Sequence, residues 1–175
     1  MTCQGMDTYT GENKGLGQNG NYNAVGMTPD ASNTLIGNNV DSFDLKLKQV
    51  STFDFSIQGS IYNASGGFVA NSTNTITNAD LNTSTFTQVS FDFASNFTVT
   101  QGFKYVITAV SGDFNNNNRV DIQMNGSSAD NNLTAILQSS TWITSSAPCA
   151  ICFGSSTPPP PSGDTLLFPP PVAYI

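Results

Sequence analysis

The sequence predicts an all-β fold: a two-sheet antiparallel jelly-roll sandwich of eight or nine strands, with an extended N-terminal arm and a proline-rich C-terminal tail. Three observations predict it. Apolar residues recur at every second position in several short runs, which is the period of a strand buried on one face. Phe, at twelve residues, leads the large apolar types, and together with Val, Ile, Thr and Tyr it favours a pleated, half-buried surface. The runs are short and separated by turn signals; one twisted sheet of that many strands would expose long edges, which two stacked sheets avoid.

Residues 1–34 are rich in Gly and Asn and read as a lead-in arm, with one strand near Tyr22–Met27 before the turn Thr28-Pro29-Asp30. The sandwich is expected over residues 35–154. Phe43, Leu45 and Leu47 face one way while Ser42, Asp44, Lys46 and Lys48 face the other. Phe53, Phe55, Ile57, Gly59 and Ile61 then alternate with polar neighbours, and the run stops at the turn Asn63-Ala64-Ser65-Gly66-Gly67. A short strand starts at Phe68, a longer one carries Val89, Phe91 and Phe93, and Asn96 opens another. Phe103–Val110 is apolar on both faces, as a centrally placed strand would be. Val120, Ile122 and Met124, then Leu133–Leu137, then Ala150–Phe153 supply the last strands. Residues 155–175 shift to Ser, Thr, Pro and Gly, and two proline runs favour extended polyproline geometry that cannot join a ladder centrally.

Composition narrows the function classes. The chain has no histidine, the one side chain whose ordinary pKa suits acid/base work at neutral pH, and only five basic and twelve acidic residues. Forty Ser or Thr and twenty Asn make it polar without being charged. No enzyme is expected. A net charge of −7 argues against nucleic acid, whose binding depends on neutralising phosphates, and against an anionic membrane surface. No apolar run approaches the roughly eighteen residues of a membrane span, and the first thirty residues lack the apolar centre of a secretory signal.

An ordered series runs through Val40-Asp41-Ser42-Phe43, Leu45-Lys46-Leu47-Lys48, the Gly102–Val110 strand, Ser111-Gly112-Asp113 before a polar loop, and Trp142 with a closing strand ending at Gly154. It resembles a jelly-roll module of surface-exposed proteins of archaea, uncultured bacteria and tailed viruses, over roughly residues 20–154. The resemblance implies an extracellular, cell-surface or virion location and an adhesive, carbohydrate-binding or structural role, with no catalytic set to carry over. The proline-rich extension and the Cys149–Cys152 pair depart from the pattern.

Several residues are candidates for specific work. Asp113, Asn115, Asn117 and Asp121 have the spacing of the first half of a calcium loop, so calcium is the one cofactor to consider. Asn118 and Met124 stand where that loop needs Gly and a bidentate acid, and a polar hairpin loop is the competing reading. Glycosylation sequons begin at Asn63, Asn71, Asn82, Asn96, Asn125 and Asn132, where chance would give about four or five. Cys149 and Cys152 fall on opposite faces of any strand spanning them, which disfavours a bond between them. That leaves Cys3 joined to Cys149 or Cys152, fixing the arm to the closing strand, or three free thiols. Trp142 and Tyr62 could stack on sugar rings or fill the core. Leu166, Leu167, Phe168, Val172, Tyr174 and Ile175 would be apolar anchors between copies in a homo-oligomer or repeated assembly. The expected role is a structural subunit of a filament, fibre or virion surface, with carbohydrate binding as the alternative.

Overall fold

The computed structural model describes residues 2–4, 13–124, 132–145 and 151–154. In chain order the strands are β1 (Thr2–Gln4), β2 (Asn13–Leu16), β3 (Tyr22–Pro29), β4 (Asn39–Gln49), β5 (Ser56–Tyr62), β6 (Phe68–Asn71), β7 (Ile76–Thr77), β8 (Thr87–Thr98), β9 (Lys104–Ser111), β10 (Val120–Gln123), β11 (Asn132–Gln138), β12 (Thr141–Ser145) and β13 (Ile151–Gly154). Among the described residues there is no α-helix, only two 3-10 turns. The expected all-β sandwich is what forms, with more strands than the eight or nine expected; β1, β2, β7 and β12 are the additional ones.

β4 is the spine of the first sheet. One edge pairs with β8, and the other pairs first with β13 through Ser42–Leu45 and then with β10 through Leu47–Gln49. β1 lies outside β13, and β2 outside β10. The second sheet runs β12-β11-β3-β9-β5-β6, with β7 also on β5. Every pairing is antiparallel.

Alternation decides what lies between the sheets. Phe43, Leu45 and Leu47 of β4 and Phe91 of β8 face Val25, Met27, Ile57, Ile61, Tyr105 and Ile107 of the second sheet, and all are buried. The Phe43 ring lies 5.4 Å from that of Phe91 and 6.2 Å, edge-on, from that of Tyr105. Gly59 is where β5 backs onto these rings: a Cβ there would sit 2.6 Å from Cβ of Phe91 and 3.0 Å from the tip of Phe43. Phe53 and Phe55, expected inside a strand, precede β5 and instead pack against Phe114, Phe53 edge-on and Phe55 tilted, at one end of the sandwich.

Residues 13–34, expected as part of a lead-in arm, supply β2 to one sheet and β3 to the interior of the other. The strand expected near Tyr22–Met27 is β3, buried from Ala24 onward. Asn96 opens no new strand; it lies in an irregularity of β8, where the register moves from Ser42 opposite Asp92 to Val40 opposite Phe97. The free side of β8 is also covered locally. Asn74 donates to the Ser90 carbonyl at 2.8 Å and accepts from the Asp92 amide at 2.9 Å, so one amide side chain imitates a neighbouring strand. β6, at the end of its sheet, instead exposes Phe68 and Val69, at 59% and 47% of their surfaces.

The second sheet coils back on itself. By register Trp142 on β12 is four strands from Tyr62 on β5, about 19 Å at ordinary strand spacing. Their ring centroids are nevertheless 5.0 Å apart. The β11–β12 hairpin therefore turns over the outer face of its own sheet and encloses a second small core of Ala24, Val106 and Ala135 under Tyr62, Leu137 and Trp142. The small side chains of Ala24 and Ala135 and the bare Gly26 beside them are what let the layers approach.

Candidate functional site

The Gly/Asn-rich stretch between β2 and β3 has to cross from one sheet to the other within five residues. Gly17 and Gly20 take left-handed conformations (φ 88° and 70°), and so does Asn19 (φ 56°). The Gly17 amide donates to the Tyr22 carbonyl, closing the turn. Gly17 is required twice over, because a Cβ would come within 2.8 Å of Cβ of Phe114 and of the Asn115 nitrogen. The turn is thus pressed against the loop before β10, and the Asn19 amide donates to Asn116 Oδ1 across the join.

Below that join lies a cavity of about 360 Å³, lined by Leu16, Gly17, Gly20, Asn21, Tyr22, Asn23, Tyr62, Thr108, Ala109, Phe114 and Leu137. Its volume falls at the lower end of the ~300–1,000 Å³ typical of small-molecule sites. None of these residues carries a formal charge. Three polar groups in the wall are engaged by the protein itself. Asn23 Nδ2 donates to the Ser139 carbonyl, the Tyr22 hydroxyl accepts from Asn19 Nδ2, and the Thr108 and Ser60 hydroxyls share a bond at 2.7 Å. Asn21 Oδ1 is buried and accepts no hydrogen bond. Burial holds the Tyr62 phenol above its ordinary pKa, so it remains a neutral donor and ring face through the physiological range.

Tyr62 therefore belongs to the cavity; Trp142 does not line it. The indole lies under the turn after β5, where a Cβ on Gly66 would come within 2.7 Å of Cδ1 and Nε1. The ammonium of Lys104 stands 5.5 Å from the ring centroid and donates to the carbonyls of Asn63, Ala64 and Gly102. Burial pushes the Lys104 amine below the usual lysine range, while these carbonyls and the ring face favour its charged form. Trp142 and Lys104 together fasten three segments at this end of the second sheet.

The four calcium-loop candidates are committed to protein partners or open to solvent. Asn115 Oδ1 accepts from the amides of Asn117 and Asn118, folding the loop on itself. Asp121, inside β10 and 2% exposed, accepts from Arg119 Nε at 2.8 Å, and Arg119 also donates to the Asn116 carbonyl. Gly15 opposite leaves the room that this ion pair occupies. Asp113 and Asn117 are exposed. Among the described residues no three His, Cys, Asp or Glu side chains gather as a metal site.

Of the sequon asparagines, Asn71, Asn82 and Asn96 are exposed and Asn63 is half-buried. The side-chain oxygens of Asn63 and Asn82 cap their own turns, and that of Asn71 accepts from Ser60. Asn125 and the side chain of Asn132 lie outside the described residues. Cys152 is disulfide-bonded and buried, and the β1–β13 register sets Cys3 opposite it. The side chain of Cys3, the whole of Cys149, and the anchors Leu166, Leu167, Phe168, Val172, Tyr174 and Ile175 also lie outside the described residues. No family model, curated protein or solved structure matches this chain. No described helix is long and apolar enough to cross a membrane.

Sequence reasoning missed Asn21, Tyr22, Asn23 and Thr108 as site residues. The signal available was local: three glycines and three asparagines from Gly15 to Asn23 mark a backbone that needs left-handed conformations.

Proposed function

We propose that the chain is a non-enzymatic, extracellular adhesion module of jelly-roll type that binds carbohydrate in the cavity beneath the β2–β3 turn. The jelly-roll reading is supported by nested pairing: β2 with β10, β3 with β9, β4 with β8 and β5 with β6, which is the order obtained by rolling up a long antiparallel ribbon. The binding reading is carried by the lining itself. Two tyrosines, two asparagines, a threonine and aliphatic walls, without formal charge, combine ring faces with amides and hydroxyls, which suits a ligand both apolar and rich in hydroxyls. A cavity wall without carboxylate, thiol or ammonium favours holding a ligand over transforming it.

Applying the full-length chain to a glycan array tests this. Neutral glycans should be retained, and Ala109→Trp, which fills the cavity from an exposed position, should abolish retention. Equal retention by the variant would move the site elsewhere, and a blank array would remove the carbohydrate reading.

A second reading, a structural subunit of a filament, fibre or virion surface whose terminal segments join copies, is favoured by the β6 edge. Phe68 and Val69 are exposed there whereas the β8 edge is covered by Asn74, so the β6 edge is available for addition of a strand. Sedimentation of the intact chain and of Val69→Lys distinguishes it: assembly lost in the variant supports this reading, and a monomer in both refutes it.

A further inference from the structure

We propose that Asn82 is a site of N-linked glycosylation, modified on the folded domain with a lipid-linked oligosaccharide phosphate or pyrophosphate as the sugar donor. The site is separate from the cavity, since no residue of the Asn82 loop lines it. The number of sequons is close to chance; what separates them is where the fold puts each amide. The motif needs a hydroxyl two residues after the asparagine, and the sugar is carried by the side-chain nitrogen. The chain must therefore bend to bring hydroxyl and amide together, and Nδ2 must be left open to solvent.

Asn82 meets both conditions. Residues 81–86 form an irregular loop between the 3-10 turn Asn78–Asp80 and β8, and Asn82, Thr83 and Ser84 are all exposed. Asn82 Oδ1 accepts from the Ser84 hydroxyl at 2.7 Å and from the Ser84 amide at 2.8 Å, so the required groups already meet. Both bonds use the oxygen, and among the described residues Asn82 Nδ2 makes no hydrogen bond. Gln49 holds the loop from below. Its amide donates to the Asn82 carbonyl, and its Nε2 donates to the carbonyls of Asn78 and Leu81, with Leu81 buried.

The other described sequons each fail a condition. At Asn63 the Ser65 hydroxyl also donates to Oδ1, but the residue is half-buried and Nδ2 lies against its own turn, where a Cβ on Gly67 would come within 2.8 Å of it. Asn71 Oδ1 accepts from Ser60, and the hydroxyl of Thr73 donates to the Asp92 carbonyl instead. Asn96 and Thr98 belong to β8, with Thr98 opposite Asn39, and a strand holds residues two apart at about 6.8 Å. In the transfer itself, Asn82 Nδ2 loses one proton and bonds to the anomeric carbon of the donor. The bond from that carbon to the phosphate oxygen breaks, and the phosphate leaves with the electron pair.

The test incubates the full-length folded chain with a purified oligosaccharyltransferase and a lipid-linked oligosaccharide, then maps each sequon by mass spectrometry of proteolytic fragments. Occupancy at Asn82 should exceed that at Asn63, Asn71 and Asn96 by at least tenfold. Ser84→Ala should lower it at least tenfold, whereas Ser84→Thr, which keeps the hydroxyl, should retain it. Wild-type circular dichroism in both variants excludes unfolding as the cause, and the comparison among sequons of the wild-type chain decides the matter even where a variant misfolds. A preference below tenfold, or no transfer to Asn82, overturns the inference while leaving the cavity reading in place.

Discussion

Replacing Trp142 with alanine separates a stacking platform from a structural pin. A tryptophan side chain presents ~150–250 Å² of surface. At ~25 cal/mol per Å², with part of Trp142 left exposed and the usual reduction for a compact unfolded chain, its loss should cost about 3 kcal/mol, including the contact with Lys104. In a chain of this length that is a fall in Tm of roughly 6–12 °C. Gly66 gives an independent reading of the same contact. Gly66→Ala places a Cβ within 2.7 Å of the indole at a φ of 89°, so it should cost about 1–3 kcal/mol from crowding plus about 1 kcal/mol from the backbone. In the double variant the crowding disappears and only the backbone part remains, so the two losses should fall short of additivity by at least about 1 kcal/mol. Urea denaturation followed by far-UV circular dichroism serves for all four proteins, since the single tryptophan is itself removed. A loss below about 1 kcal/mol for Trp142→Ala, or strict additivity with Gly66→Ala, would refute the packing described for this end of the sheet.

Other outcomes follow from the same structure. Asn74→Ala removes two of the bonds that cover the β8 edge and leaves those of Thr73 to the Asp92 carbonyl; it should cost about 1–3 kcal/mol and raise light scattering on storage, and an unchanged scattering profile would show that Thr73 suffices to protect the edge. Burial raises the Tyr105 phenol to about 12, opposed by the Thr100 amide that donates to its oxygen. A folded-state pKa above the unfolded value of 10.0 means that stability is intact below pH 10 and is lost as pH rises toward 12, by at most about 2–3 kcal/mol. Stability measured by urea titration should therefore decline across that window, and Tyr105→Phe should flatten the decline. Reducing the disulfide at Cys152 should cost about 2–5 kcal/mol, read as a fall in Tm with reductant, and no change would mean that it closes nothing under strain from unfolding.

The alternation at Phe43-Leu45-Leu47 and at Val89-Phe91-Phe93 was legible because these strands bury one face against one core, so period two survives in the residues themselves. β9 was legible as central because both of its faces are covered, Tyr105 and Ile107 by the main core and Val106 by the coiled hairpin. β3 was harder. Its outward residues are Ala24 and Gly26, small because β11 and β12 fold over them, and small residues carry little period signal. The cavity was not legible at all, since it joins Asn21, Tyr62, Thr108 and Leu137 from four segments whose meeting depends on how far the second sheet coils. The surroundings of Asp113–Asp121 were hidden for a related reason: spacing along the chain does not reveal that Asp121 continues into a strand and pairs with Arg119.

Chemical-shift mapping of the full-length chain during titration with the tightest-binding neutral methyl glycoside tests the central claim most directly. The account predicts saturable shifts at the amides of Gly17, Gly20, Asn21, Asn23, Thr108 and Leu137, with the β6 amides of Phe68 and Val69 unmoved. Shifts centred on β6 or on Trp142, or no saturable shifts with any neutral glycoside, would contradict it.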